Sequence, residues 1–164
     1  MEIERKFTVK SLPNNLSDFP CLYLEQGYLN TDPVIRIRKQ NQEYLLTYKG
    51  KGMLAREEYN LPLNADSYAH LRNKCDGNII SKRRYIIPLE APEFTADCPA
   101  TLKPSQLTIE LDIFDAPFAP LIMAEVEFDS METANAFIAP DWFSEDVTYN
   151  QEYHNSTMSR KVFS

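Results

Sequence analysis

Like-charged side chains recur two residues apart along this chain. Glu2 and Glu4, Glu110 and Asp112, and Glu125 and Glu127 form acidic pairs, whereas Arg36 and Arg38, and Lys82 and Arg84, form basic ones. Neighbours of one sign repel, so a strand facing bulk water gains nothing from them. A site that holds a polyanion beside a metal ion gains from both kinds, because cations neutralise the anion and carboxylates bind hard cations such as Mg²⁺ or Mn²⁺. With Lys6, Lys49, Arg56 and Glu58 added, seven cations face seven anions, a neutral set within a chain of net charge −7. Few Ser or Thr residues dilute these positions. No Ser or Cys stands beside a partner His, so nothing points to covalent catalysis. His70 reads as a helix-surface residue, His154 as a tail residue that either touches substrate or, as is commoner for a lone tail histidine, is inert, and Trp142 as a packing anchor.

The elements that position these residues follow from the same spacing. Period two marks strands with unlike faces, and it appears over residues 2–8, 34–39, 44–50, 55–61, 79–87, 107–114 and 121–128. A shorter strand around Gly27 to Asn30 makes an eighth. Helices are predicted from Asn64 or Asp66 to about Cys75, from Ser130 to Pro140, and from about Gln151 onward. Pro88, Pro92, Pro99 and Pro104 mark an irregular connection before the seventh strand. Many strands and few helices, without βαβ alternation, predict an antiparallel α+β fold rich in β structure.

Composition narrows the function. A chain of 164 residues is one domain's length and can bury a core without disulfides. Its acidic balance argues against a nucleic-acid partner, and no segment is apolar for long enough to span a bilayer. Glu2, Glu4, Arg5 and Lys6 leave no room for an apolar signal segment, and Cys21, Cys75 and Cys98 are odd in number and far apart. The expectation is a soluble cytoplasmic protein with reduced thiols, and a homodimer stays open.

Alternation alone leaves two dispositions. In one, Ile, Leu and Val fill the core and the charges face water. In the other, the eight strands close into an antiparallel barrel whose lumen carries the charges, while helices cover the apolar outside.

Glu2-Ile3-Glu4-Arg5-Lys6 reads as ExExK and resembles the signature of the CYTH superfamily, the triphosphate tunnel metalloenzymes. Colinear with that pattern follow Gln26-Gly27-Tyr28-Leu29, Arg36-Ile37-Arg38, Thr47-Tyr48-Lys49-Gly50, Arg56-Glu57-Glu58-Tyr59, Lys82-Arg83-Arg84-Tyr85, Glu110-Leu111-Asp112 and Ala124-Glu125-Val126-Glu127-Phe128. The resemblance covers nearly the whole chain and implies the second disposition: a single domain over residues 1–164 forming a closed eight-stranded barrel, or tunnel, with a charged lumen. It departs from the pattern only in the C-terminal element from Asp146 to Asn155. There Asn150, Glu152 and His154 stand where an acidic residue and a basic Arg-Tyr-Lys run are common.

By resemblance, Arg36, Arg38, Lys49, Arg56, Lys82 and Arg84 cradle the phosphates of a small-molecule triphosphate. Glu2, Glu4 and Glu127 hold Mg²⁺ or Mn²⁺ shared with the phosphate, and Asp112 and Glu125 serve a second metal or the attacking water. Glu110 stands behind these in either role. Lys6 stabilises or protonates the leaving phosphate, and Tyr28 pairs with Lys6 and tunes it. The implied activity is metal-dependent hydrolysis of inorganic tripolyphosphate. A class IV adenylate cyclase, a thiamine triphosphatase and a non-catalytic polyphosphate-binding module are the alternatives.

Overall fold

Alternating charged and apolar side chains become strands along most of the chain in the computed structural model, which describes residues 1–163. In chain order the elements are β1 (Glu2–Val9), β2 (Cys21–Thr31), β3 (Val34–Gln40), β4 (Glu43–Lys49), β5 (Ala55–Arg56), β6 (Glu58–Leu63), α1 (Ala65–Arg72), β7 (Asp76–Glu90), β8 (Glu93–Phe94), β9 (Gln106–Phe114), β10 (Ile122–Glu127), α2 (Met131–Ala136), β11 (Phe137–Ile138), β12 (Phe143–Asp146) and α3 (Asn155–Met158). Ten strands form one antiparallel sheet in the order β12-β1-β10-β9-β7-β2-β3-β4-β6, with β5 paired to β1 beside this path. The short β8 and β11 pair separately.

The closed eight-stranded barrel expected from the sequence is not formed, because no ladder among the described residues joins β6 to β1. Two local features account for the difference. The stretch over 55–61 breaks at Glu57: β5 pairs with Glu2 and Ile3, whereas β6 turns back onto β4. The rest of that edge of β1 is taken by β12, a strand the alternation did not reveal, which sets Phe7 opposite Asp146 and Val9 opposite Phe143. The chain beyond β12 continues the coverage, with Val147 N–H donating to Lys6 O at 2.8 Å and Lys6 N–H donating to Thr148 Oγ1 at 3.0 Å.

The sheet nevertheless curls enough for Lys49 on β4 to reach Glu2 on β1 at 2.9 Å. Its concave face carries the charges. Arg36, Lys49, Lys82, Arg84, Asp112 and Glu125 are all buried there, so the disposition with charges in water does not hold. The opposite face of β1, β10, β9 and β7 is apolar, and Phe7, Ile109, Leu111 and Val126 pack there with Phe137 and Phe143. Each such side chain stabilises the fold by about 1.5–3 kcal/mol. Arg5, the one charge on that side of β1, donates to the α2 carbonyl of Ala134 (2.8 Å) and to Phe137 O (3.0 Å), and pairs with Asp146 (2.8 Å). It thereby satisfies carbonyls at a helix end that would otherwise lack donors.

Helix limits differ from expectation by local competition. Asn64 caps α1 by accepting from Ser67 N–H, but the helix stops at Arg72, and Asp76-Gly77-Asn78 already belong to the 15-residue β7. Ser130 caps α2, which ends at Ala136 because Phe137 turns extended to pair with Phe94. The expected tail helix is split at His154 into a 3₁₀ turn (Gln151–Tyr153) and α3. This tail docks on β7 through Asn78, whose N–H donates to Ser159 O at 2.6 Å. At Gly77, with φ +71°, a Cβ would stand 2.1 Å from that same oxygen. Met158 and Val147 join Ile80, Phe114, Met123 and Phe118 in a second apolar cluster at one end of the charged face. Trp142 packs edge-on against Phe143 at 4.7 Å, and His70 is exposed. Cys21, Cys75 and Cys98 are free. No described helix is long and apolar enough to cross a membrane.

Candidate active site

Period two on curved strands makes side chains from nine of them converge. The concave face encloses a cavity of about 280 Å³ walled by Glu2, Glu4 and Lys6 of β1, Tyr28 of β2, Arg36 and Arg38 of β3, Lys49 of β4, Arg56 of β5, Glu58 of β6, Arg84 of β7, Glu110 of β9, and Glu125 and Glu127 of β10. Thirteen of the fifteen residues singled out by charge, spacing or resemblance therefore meet in one place. Lys82 and Asp112 do not reach the wall. They lie behind it, fully buried and paired with each other at 2.8 Å.

Three layers of charge are distinguishable. The deepest is the Asp112 knot: Arg84 grips this carboxylate through Nε at 2.7 Å and Nη2 at 2.8 Å, and Lys82 takes its Oδ2. Arg84 also pairs with Glu110 and, at 3.2 Å, with Glu125. Burial resists ionisation of Asp112, yet Arg84 and Lys82 hold its pKa below the usual carboxylate range. Burial likewise drives the Lys82 ammonium down to about 8, against the pull of Asp112.

The second layer is carboxylate in excess. Glu4 and Glu127 lie opposite each other across β1 and β10, with Glu2 two residues along. Burial, then the charge of Glu125, pushes Glu4 up to about 8. Burial with Glu110 and Glu58 raises Glu127, and burial with the Glu58 hydrogen bond raises Glu2. Glu125 behaves oppositely. Burial opposes its charge, but Lys6 and Arg84 keep it well below the ordinary range. Lys6 sits between Glu4 (3.7 Å) and Glu125 (3.6 Å), and these carboxylates outweigh its burial to raise its pKa. The Tyr28 hydroxyl is bonded to Gln26 Nε2 at 3.3 Å and makes no hydrogen bond to Lys6.

The third layer is cation without a counter-ion. Arg36 and Arg38 are within ion-pair reach of no carboxylate among the described residues. Arg36 donates to Thr47 Oγ1 at 3.2 Å, and its buried Nε has no partner. Arg38 donates only to the neutral Gln26. Burial, followed by repulsion from Arg36 and Arg84, lowers Arg38 to about 9. Buried cations are ordinarily paired. Two unpaired guanidiniums on a cavity wall, facing crowded carboxylates, form a socket for an anion whose own charge is shared with a cation.

For a divalent ion the carboxylates supply suitable donors, since hard cations take oxygen ligands and the raised pKa values of Glu2, Glu4 and Glu127 mark negative charge awaiting neutralisation. Among the described residues no three Asp, Glu, His or Cys side chains are already gathered into a ligand set, so these carboxylates would draw together on binding.

Residues given no role from the sequence also belong to the site. His154 is buried with its ring on the wall, Nε2–H donating to Thr148 O at 3.1 Å, and burial and Lys6 lower its pKa. Asn155 lines the wall and accepts from Lys82 Nζ at 3.4 Å. The sequence marks their segment only as a departure from the family pattern, because the tail reaches the cavity by docking on β1 through Val147 and Thr148 and on β7 through Asn78. Gln26 did carry a signal, lying in phase with Tyr28 on β2.

Fold and site thus define a protein with a charge-lined cavity for a polyanion. The CYTH domain profile matches residues 1–127, and the chain belongs to the CYTH family. The inorganic triphosphatase of Nitrosomonas europaea is 35% identical to it over 164 residues, covering 98% of each chain. A crystal structure of an inorganic triphosphatase aligns with a TM-score of 0.69 at 33% identity, over 99% of this chain and 96% of that one. A second crystal structure, of a hypothetical protein, gives 0.68 at 32% identity over 99% of both.

Proposed function

We propose that this protein hydrolyses inorganic tripolyphosphate with the help of Mg²⁺ or Mn²⁺, acting as one domain over residues 1–164. The observation that carries this reading is the pair of guanidiniums without a counter-ion, buried Arg36 and half-buried Arg38, on the wall of a cavity that also holds carboxylates in excess. Supporting it are membership of the CYTH family and 35% identity to an inorganic triphosphatase.

Arg36 and Arg38 bind the phosphate chain, assisted by Lys49 and Arg56, with Arg84 presented from the Asp112 knot. Asp112 acts by holding Arg84 and Lys82 in place, which leaves Glu2, Glu4 and Glu127 to hold the metal. When bound, that ion neutralises the transferred phosphoryl group and acidifies water. Glu125, kept ionised by Lys6 and Arg84, accepts a hydrogen bond from the attacking water and aligns it. The water oxygen bonds to the terminal phosphorus as the bridging P–O bond breaks. One water proton stays on the orthophosphate and the other passes by way of Glu125 to solvent. Lys6 donates a hydrogen bond to the departing pyrophosphate, which takes the bridging oxygen and its electron pair. Positioning and charge neutralisation supply most of the acceleration in such reactions.

Cavity size distinguishes substrates. At about 280 Å³ it falls just short of the ~300–1,000 Å³ usual for drug-sized ligands, and Tyr28 is the only Phe, Tyr or Trp on its wall. A nucleoside or thiamine moiety would lack a stacking clamp on this wall. A cytoplasmic setting goes with the free cysteines.

Phosphate release from tripolyphosphate, ATP and thiamine triphosphate, each with and without Mg²⁺ or Mn²⁺, tests the proposal. Orthophosphate from tripolyphosphate only with a divalent ion is expected. Cyclic AMP from ATP, or binding without turnover, would contradict it. Arg38→Ala should raise KM about 10–100-fold, the loss of one charge-assisted contact, with a smaller change in kcat. Unaltered steady-state kinetics would place the anion elsewhere.

A further inference from the structure

Gln26 is fully buried behind the cavity wall and touches two residues that line it. Arg38 donates to its Oε1 through Nε at 3.2 Å and Nη2 at 3.0 Å, and its Nε2 lies 3.3 Å from the Tyr28 hydroxyl. The chemistry of the partners fixes the direction of both contacts. A guanidinium can only donate, so the amide oxygen must face Arg38. The amide nitrogen is then left to face Tyr28 and must donate to it. With its oxygen accepting from Gln26, the Tyr28 O–H proton has to point away from Gln26, and Tyr28 lies on the cavity wall.

We propose that Gln26 is a positioning residue that turns two donors, the Arg38 guanidinium and the Tyr28 hydroxyl, toward a bound triphosphate while leaving the Arg38 charge uncancelled. This inference rests on the triphosphatase reading and extends it to a residue that does not itself touch substrate. Glutamate, nearly the same shape, would do the reverse at both ends. Its carboxylate would form an ion pair with Arg38, and it would accept the Tyr28 O–H, withdrawing that donor from the cavity. Period two alone accommodates either residue at this place on β2; only the neutral amide keeps the adjacent socket electropositive. The arrangement also meets the demand that a buried amide have partners for both its ends.

The test compares Gln26→Glu, Gln26→Met, Tyr28→Phe and the Gln26→Glu/Tyr28→Phe double variant of the full chain, with tripolyphosphate and Mg²⁺, recording KM, kcat and thermal midpoint. Gln26→Glu should raise KM about 10–100-fold, and Gln26→Met should raise it less, because charge matters more than shape. Tyr28→Phe should weaken the wild type yet add little to Gln26→Glu, since the donor it removes is already turned away. A role in packing alone gives the opposite ranking, with Met worse than Glu and KM following the thermal midpoint; that result, or a wild-type KM in Gln26→Glu, overturns the inference. Full additivity of the double variant overturns the assignment of the Tyr28 donor. Should Gln26→Glu fail to fold, Gln26→Met decides by its KM, and a wild-type value would sink the proposal. No turnover in the wild type refutes the triphosphatase reading itself, whereas turnover with an indifferent Gln26 refutes only this inference.

Discussion

Glu4→Gln is expected to lower metal-dependent turnover at least about 100-fold and, at alkaline pH, to make the metal-free protein more stable than the wild type. The two effects have one cause. Burial and Glu125 raise the Glu4 pKa to about 8, so in the metal-free protein its charge is a burden. The sign follows from linkage. A group whose folded pKa lies above its unfolded value stabilises the fold below the unfolded pKa, and that contribution is lost as pH rises through the folded one. Wild-type stability should therefore decline from Glu4 between its ordinary pKa of 4.5 and about 8. Glutamine carries no proton to lose, so the two proteins should melt together near pH ~5, draw apart in the variant's favour as pH rises, and differ most above about pH 8. Saturating Mg²⁺ should close that gap by stabilising the wild type alone. Thermal melts across pH, with and without Mg²⁺, paired with phosphate release, measure this. Wild-type turnover in Glu4→Gln would remove Glu4 from the metal site, and identical melts at alkaline pH would show that its carboxylate is not strained.

That strain is also why the site was so legible in the sequence. Stability does not favour Glu2, Glu4 and Glu127 crowded together, or Arg36 beside Arg38, so their spacing pointed toward something that binds, although the resemblance, not the alternation, chose the inward disposition. Period two placed them on one face correctly, and the burial of Arg36, Lys49 and Glu125 bears out the inward orientation. Closure of the sheet was not legible, because it depends on how edges compete. Residues 55–61 alternate as one strand would, but the break at Glu57 sends Ala55 and Arg56 to β1 and the chain from Glu58 onward to β4. Phe143 to Asp146 is too short to show periodicity, yet it claims the edge of β1 that a closing strand would need. His154 stood out in the sequence only as a departure from the family pattern, and for a different reason. Its place on the wall depends on long-range contacts, Gly77 and Asn78 receiving the tail at Ser159, and no pattern around residue 154 encodes them.

Asp112 presents the opposite case, a charged residue whose loss should be felt first in the fold. Replacing Asp112 with Asn keeps its shape but leaves Lys82 and Arg84 buried against a neutral group. Arg84 retains Glu110 and Glu125, whereas Lys82 has no other carboxylate within ion-pair reach among the described residues. Removing one partner of a buried ion pair typically costs about 3–5 kcal/mol, and at about 2–4 °C per kcal/mol for a chain of this size the melting midpoint should fall by roughly 10 °C. Burial has already brought Lys82 down to about 8 while Asp112 resists the shift, so the variant's lysine should shed its proton near neutrality. Its stability should then recover as pH rises, because a cation with a depressed folded pKa penalises the fold less once the solution no longer supplies its proton. Adding Lys82→Met should restore much of the loss at neutral pH, since replacing both members of a buried pair by uncharged groups costs far less than orphaning one. Thermal melts of Asp112→Asn and Asp112→Asn/Lys82→Met decide the matter. An unchanged midpoint in the single variant would mean that the knot behind the cavity wall is not holding the β7–β9 ladder, and a double variant no better than the single would mean that the cost never lay in the stranded lysine.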